Sequence, residues 1–389
     1  MDPVRNPFAP GAGSKPPELA GRDEIIQDAN TALARALQGR PARSQLLLGL
    51  RGTGKTVLLN TIEERAESEG YLTAFIEAPE EKSLAEMLYP TLHQALRKLS
   101  LVEEAKHLAF SGMRALKSFA SVFKIEAGNV SISVDAEAGA ADSGDLEFDL
   151  AELFIRVGQA ARAARQGVAL CIDEVQYLRE NELAALVVAI HRINQKNLPL
   201  IMFGAGLPQL AALSGDAKSY AERLFTFPAI GALQQEAARL AIRGPIVGEE
   251  EEIEDDALEL IVEKTEGYPY FLQEWGYQAW NVASESPIRI EDVELASKTA
   301  LNRLDDGFFK VRFNRLTPKE REYVIAMAEL GKGPYRSADV AERLGEPLQK
   351  LGPRRAQIIN KGMIYSPEHG DIAFTVPMFE DFLMRSRIT

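Results

Sequence analysis

The chain contains little that would crosslink it, anchor it or repeat it. There is one cysteine, Cys171, in 389 residues, which excludes an intramolecular disulfide and suits a reducing compartment. No apolar run approaches the length of about 18 residues that a membrane-spanning helix needs. The start does not have the charged and apolar pattern of a secretion signal, so a cytoplasmic protein without a membrane partner is expected. No internal repeat and no long low-complexity tract is present, which argues against a solenoid or an extended disordered chain. The composition includes 46% hydrophobic residues, enough at this length to bury two or three cores. Residues 1–18 are rich in Pro and Gly and read as a flexible arm.

Charge is unevenly spread. The total is −13, but residues 306–389 hold 14 Lys/Arg against 11 Asp/Glu, while the remainder holds 30 against 46. An acidic body with a mildly basic C-terminal piece excludes general coating of nucleic acid and permits a local contact.

Gly49-Leu50-Arg51-Gly52-Thr53-Gly54-Lys55-Thr56 spells the phosphate-binding pattern G-x-x-x-x-G-K-[ST]. Before it, Ser44 to Leu48 reads as a short buried strand. After it, the run from Val57 has helical apolar spacing. The glycines let the backbone curl so that successive N–H groups converge on a phosphate. Lys55 is placed for the β- and γ-phosphates and Thr56 for Mg²⁺, so Gly49, Arg51, Gly52, Thr53, Gly54, Lys55, Thr56 and Val57 form the expected ATP or ADP contact. A second apolar run, Val168 to Ile172, ends in Asp173-Glu174. This is the Walker B pattern, with Asp173 as a Mg²⁺ ligand and Glu174 as general base for the attacking water. Cys171, mid-strand, is expected to be a small buried apolar residue.

Tyr71 to Glu77 and Leu198 to Gly204 read as further strands, separated by helical patterns at 84–99, 150–165 and 182–194. Strands alternating with helices predict an α/β fold of the P-loop NTPase kind, a parallel sheet with its ligand at the strand C-terminal edge. Lys55 and Asp173 are 118 positions apart, and the excess includes a Gly128-Asn129 turn flanked by period-2 alternation. A β-hairpin insertion is therefore expected at about 122–136.

Taken together these motifs resemble the AAA+ superfamily, within it the clade of origin-recognition, archaeal-type and STAND signalling ATPases. The resemblance covers residues 19–305. It rests also on Leu19-Ala20-Gly21-Arg22-Asp23-Glu24, on Asp173-Glu174-Val175-Gln176-Tyr177-Leu178 and on Gly267-Tyr268-Pro269. It implies that Gly21, Arg22 and Pro269 contact the nucleotide. It also implies that Arg223 is an arginine finger acting on a neighbouring subunit, hence a homo-oligomer. Two features depart from the pattern. The fourth strand ends in Gly204-Ala205-Gly206 without a polar sensor, and no arginine lies between Gly267 and Trp280. Slow or partner-dependent hydrolysis is the consequence.

Residues 19–232 are thus read as the ATPase core and 233–305 as a small helical lid. In the lid, the acidic run 249–252 is a solvated loop and the aromatics at 271–280 are core. Residues 306–389 contain Thr317-Pro318-Lys319-Glu320, a capped helix start. Further helices are expected from Ser337 and from Leu348, then strands at 363–366 and 371–376. This order resembles a winged helix-turn-helix domain. On its third helix Lys350, Arg354, Gln357 and Lys361 share one face, as double-stranded DNA contact requires, with His369 at the wing tip.

The expected function is an ATP-hydrolysing switch coupling nucleotide state to DNA binding or assembly. Two alternatives remain open here. One is a STAND-type signalling ATPase whose winged helix is an autoinhibitory protein module. The other is a mobile-element or chaperone-like ATPase acting on a protein partner.

Overall fold

The computed structural model describes every residue except 12, 79–81, 126–134, 220, 369 and 387–389, together with the side chains at 212, 216 and 217. Its N-terminal half is a parallel sheet of β1 (Ser44–Gly49), β2 (Tyr71–Glu77), β3 (Gly167–Asp173), β4 (Leu200–Gly206), β5 (Phe225–Thr226) and β6 (Ala229–Ile230). The order is β2-β3-β4-β1-β5, with β6 also on β1. In β3 and β4 every residue is buried, which is why both read as unbroken apolar runs rather than alternating ones.

Helices cover both faces. On one side α1 (Asp23–Leu37) and α2 (Lys55–Ser68) pack over Leu47, Cys171 and Phe203. On the other lie α3 (Leu84–Leu99), α4 (Glu103–Val122), α5 (Leu146–Ala163) and α6 (Glu180–Gln195), over Leu46, Leu170 and Met202. α4 accounts for much of the long stretch between Lys55 and Asp173, because its Ala109, Leu116 and Phe119 are fully buried. Phe123, expected to begin a strand, instead closes α4 by donating its N–H to the Phe119 carbonyl at 3.0 Å. Lys124, Ile125, Asp135 and Ala136 lie in no strand, and residues 126–134 of the expected hairpin are outside the described residues. α7 (Leu210–Ala217) and α8 (Ala221–Leu224) follow β4.

α9 (Gln235–Gly248), α10 (Asp255–Thr265), α11 (Pro269–Val282) and α12 (Ile290–Arg303) form the lid. α12 passes through a π-helical turn, Leu304–Phe309, into α13 (Lys310–Asn314). The boundary expected at 305/306 falls inside that continuous passage. One apolar cluster joins the lid to everything after it, with Phe309 packed on Phe379 and Phe382 at ring separations of 5.8 and 5.3 Å.

The C-terminal region consists of α14 (Pro318–Ala328), β7 (Tyr335–Arg336), α15 (Ser337–Leu344), α16 (Leu348–Asn360), β8 (Ile364–Tyr365), β9 (Asp371–Phe374) and α17 (Phe379–Arg385). β7, β9 and β8 form a small antiparallel sheet. The capping box at Thr317 is present: its hydroxyl accepts the Glu320 N–H at 3.4 Å, and Glu320 accepts the Thr317 N–H at 2.6 Å. α15 stops where Gly345 turns left-handed, at φ 65°.

Residues 1–18 do not form a free arm. Phe8 is 2% exposed and seats on α11, where a β-carbon at Gly276 would overlap its ring. Asn6 donates to the Tyr277 carbonyl and to Asn281 Oδ1, both at 3.0 Å, and Trp280 Nε1 donates to the Asp2 carbonyl at 2.8 Å. Arg5 pairs with Glu249 and Glu251 of the acidic run. A buried aromatic ring, an asparagine, a backbone carbonyl and one cation together anchor a segment whose composition alone reads as loose.

Candidate nucleotide site

The parallel sheet brings the ends of β1 and β3 to one edge, with β4 between them. From β1 the chain turns through Leu50–Gly54 into α2. Gly52 and Gly54 have φ of 83° and 89°, a conformation that a side chain would strain. Gly49 is glycine for space, since a β-carbon there would meet the Ile230 carbonyl and lie 2.7 Å from Thr53 Oγ1. Thr53 Oγ1 and Lys55 Nζ donate to the Leu50 carbonyl at 2.9 and 2.8 Å. Thr56 Oγ1 donates to Asp173 Oδ2 at 2.6 Å, and Asp173 Oδ1 accepts the Glu174 N–H at 2.8 Å.

Burial pushes the Lys55 ammonium below its ordinary range, against the upward pull of Glu174 and Asp173. Burial also raises the Asp173 carboxyl, opposed by its bonds from Thr56 and Glu174. A desolvated ammonium and a desolvated carboxyl at one sheet edge suit an anion and a divalent cation respectively. Thr56 and Asp173 supply the hard oxygen donors that Mg²⁺ prefers.

Glu174 has a left-handed backbone, φ 53° and ψ 37°, a strained state that for a non-glycine residue is typical of functional turns. The strain turns its side chain toward the loop, where it is held from two sides. Gln176 Nε2 donates to Glu174 Oε2, and Arg51 Nη1 stands 4.0 Å from Glu174 Oε1. Gln176 Oε1 in turn accepts the Leu207 N–H at 3.1 Å. The end of β4 lacks a polar sensor because this amide occupies the space: a β-carbon at Gly206 would lie 2.8 Å from Gln176 Oε1. Gln176 therefore links the fourth strand to Glu174 from the neighbouring turn.

The lid and the C-terminal region both close on the same loop. Tyr268 donates its hydroxyl to the Arg51 carbonyl, and the Tyr270 N–H reaches the Gly52 carbonyl at 3.2 Å. The Arg51 N–H donates to the Thr375 carbonyl at 3.2 Å, and Arg51 Nη2 donates to the Tyr177 hydroxyl at 2.7 Å. Gly362, at φ 63°, leaves room for the Arg51 guanidinium where any β-carbon would collide with it. Thr375 is fixed by its own hydroxyl, which donates to the Gly362 carbonyl at 2.6 Å.

A cavity of about 280 Å³ opens above the loop. Its wall includes Arg22, residues 51–58, Glu174, Pro269 and, from the N-terminal arm, Gly13 and Ser14. Of the residues expected to touch nucleotide, Arg51, Gly52, Thr53, Gly54, Lys55, Thr56, Val57, Arg22 and Pro269 line it. Gly49 and Asp173 sit immediately behind that wall. Gly21 is a turn residue at φ 69° packed on Ala237 and is not part of the lining. Arg22 donates to the carbonyls of Gly231 at 2.6 Å and Thr53 at 3.4 Å, so it ties the loop to the entry of the lid. Arg223 is exposed on α8 and does not line the cavity of its own chain.

The face expected to read DNA is divided. Lys350 and Gln357 are exposed. Lys361 Nζ is bound to Glu320 Oε2 at 2.6 Å and to the Arg315 carbonyl at 3.1 Å, and Arg354 holds Glu346 through both nitrogens at 3.2 and 3.3 Å. The expected common outward stripe is thus corrected to two outward residues and two internal ties. Helical spacing could not reveal this, because Glu320 and Glu346 come from other segments. His369 lies outside the described residues. Sequence reasoning missed Tyr268, Thr375, Gly362 and Arg312 at the cavity and its rim. Only Tyr268, between the two lid-motif residues, carried a local signal.

The family model described as AAA ATPase domain matches residues 18–203. These residues are thus similar to AAA ATPase domains, and the sheet that holds the loop has the parallel α/β arrangement of a P-loop NTPase. A model described as a domain of unknown function (DUF8462) matches 306–383. Over 364 residues the chain is 23% identical to an uncharacterised HTH-type transcriptional regulator of Methanocaldococcus jannaschii, covering 91% of this chain and 85% of the other. The Walker-type ATPase of Pyrococcus abyssi superposes with a TM-score of 0.57 at 16% identity, over 94% of this chain and 96% of that one. That likeness extends the shared fold beyond residues 18–203 to the lid and C-terminal region. No helix among the described residues is long and apolar enough to cross a membrane.

Proposed function

We propose that this protein is an ATP-binding and slowly hydrolysing switch in which the C-terminal module is held against the phosphate loop and repositioned by nucleotide. The observation that carries this reading is Arg51. It belongs to the loop, its guanidinium lies by Glu174, and its N–H is bonded to Thr375 of the C-terminal module. A change at the phosphates therefore has a direct mechanical route to the module.

Bound Mg²⁺, held by Thr56 and Asp173, would neutralise charge on the β- and γ-phosphates. The chain's own residues supply the rest. Loop N–H groups and Lys55 bind the phosphates, Glu174 orients and deprotonates the attacking water, and Gln176 fixes the Glu174 carboxylate. Gln176 and the nearby Arg51 hold the Glu174 carboxylate from two sides, and the fourth strand ends in Gly204-Ala205-Gly206 without a polar side chain of its own, which supports slow turnover. Arg223, exposed and away from its own cavity, is available to a neighbouring subunit's phosphates.

The C-terminal module, in our reading a winged helix, has double-stranded DNA as its target through the exposed Lys350 and Gln357. A second reading is favoured by one observation: two of the four residues on that face, Arg354 and Lys361, are satisfied internally. On that reading the module is an autoinhibitory protein-binding element. A DNA titration at two salt concentrations with ATP, ADP or no nucleotide, together with the oligomeric mass, tests both. Nucleotide-dependent, salt-sensitive binding supports DNA as the target. Absent binding under all three conditions, with nucleotide bound, supports the protein module.

A further inference from the structure

The cavity wall carries more positive charge than its own carboxylates match. Arg22, Arg51, Lys55 and Arg312 line it against Glu18 and Glu174. Three of these cations have a partner at the sheet edge: Lys55 on the Leu50 carbonyl and Arg22 on the Thr53 carbonyl, both in the loop, and Arg51 on Glu174 after β3. Arg312 differs. It comes from α13, outside both residues 18–203 and the lid helices, and among the described residues no carboxylate lies within ion-pair distance of it.

Its position is built. The guanidinium carbon lies 3.8 Å from the centroid of the Phe308 ring, and Nη1 donates to the Phe308 carbonyl at 2.7 Å. Phe308 is stacked on Tyr270, with ring centroids 4.8 Å apart, and the Tyr270 N–H is bonded to Gly52 of the phosphate loop. The fork is thus locked on one side and turned to the cavity on the other. Stacking on an aromatic face leaves the planar edge of a guanidinium free to bind an oxyanion. Burial, followed by the nearby Arg51 charge, lowers Arg312 to about 10.

We infer that Arg312 is a ligand for the terminal phosphate of the bound nucleotide, delivered from the helix that leads into the C-terminal module. This rests on the nucleotide reading above and adds a specific consequence to it. A γ-phosphate would bridge Arg312 and the loop cations, drawing α13 toward the sheet edge. Its loss would leave Arg312 and Arg51 as neighbouring like charges, so α13 and the module attached to it would ease away. Discrimination between ATP and ADP is then located in the linker.

Affinities for ATP and for ADP, each with Mg²⁺, measured by calorimetry on the full chain, test this. Arg312→Ala should weaken ATP by about tenfold or more and ADP by less than about threefold, since a charge-assisted bidentate contact would be lost only with the triphosphate. An ATP-to-ADP affinity ratio equal to wild type would overturn the inference, because a residue that merely packs on Phe308 would not move that ratio. If Arg312→Ala fails to fold by circular dichroism, Arg312→Gln is read by the same ratio. Limited trypsin digestion gives a second readout: ATP should protect the chain at Lys310 and Arg315 in wild type and not in the variant, and equal protection in both would count against Arg312. Lys55→Ala should lose both nucleotides. If wild type binds neither, the nucleotide reading itself fails, a different result from an unchanged ratio.

Discussion

At Glu174 the backbone, the side chain and the chemistry are coupled, because the left-handed turn aims the carboxylate at Gln176 and Arg51. Glu174→Gln should leave ATP binding intact and reduce turnover by about 10²- to 10⁴-fold, the range for removing a general base. Phosphate release beside a binding isotherm checks it, and unchanged turnover removes Glu174 from that role. A second residue-scale outcome concerns Lys361, the partner of the buried Glu320. Burial raises the Glu320 carboxyl, and the bonds from Lys361 and Thr317 outweigh it, leaving the group below its ordinary range. A depressed carboxyl contributes stability that is present above the unfolded value and lost as pH falls through the folded one. Lys361→Ala should cost about 2–3 kcal/mol at neutral pH, discounted from the buried-pair range because Lys361 is 34% exposed. The stability of that variant should also respond less steeply to pH in the acid limb, measured by urea unfolding at several pH values. If the basic residue served DNA alone, neither would change.

Among the elements, the small antiparallel sheet and α16 matter through one junction. Gly362 combines a positive φ with the space needed for the Arg51 guanidinium. Gly362→Ala should therefore displace the module from the loop rather than unfold it, at a local cost of about 1 kcal/mol or more. We expect faster proteolysis between α13 and α14 with nucleotide affinity within about threefold of wild type, a small change in ΔG terms. Unchanged proteolysis would mean that the contact does not hold the module. The N-terminal segment makes an analogous prediction. Phe8→Ala should detach residues 1–18 from α11 and lower the thermal midpoint by several degrees, since removing a buried phenyl ring costs about 3 kcal/mol. A midpoint equal to wild type would return the segment to the status of a loose arm.

For the whole molecule the organising fact is that the lid and the C-terminal region share a single apolar cluster. They should move together against the sheet, with the hinge at the loop contacts of Tyr268 and Tyr270 rather than at the expected 305/306 boundary. If subunits assemble through Arg223, mixing Arg223→Ala with Lys55→Ala chains should restore part of the ATPase activity. No restoration at any ratio would assign Arg223 to its own surface. Much of this architecture was legible in the chain. The four long strands, the helix after the loop and the three helices beginning at 318, 337 and 348 all announced themselves through period, caps or glycine stops. The two-residue strands β5, β6 and β7 and the helix α4 did not, because so short a strand has no period to read and α4 is followed in sequence by a Gly128-Asn129 pair whose composition suggested a hairpin.

The sequence by itself determined the phosphate loop, the acid pair Asp173-Glu174 and the alternation that places them on one edge. These depend on local spacing and on the requirement for glycine at positive φ. Only the tertiary structure decided which cations remain outward and which are consumed within the chain, since ion pairing depends on partners from distant segments. It alone brought Arg312 and Thr375 to the phosphate loop, some 260 and 320 positions beyond Arg51, because packing of aromatic rings between lid and C-terminal region fixes a distance that no sequence period encodes.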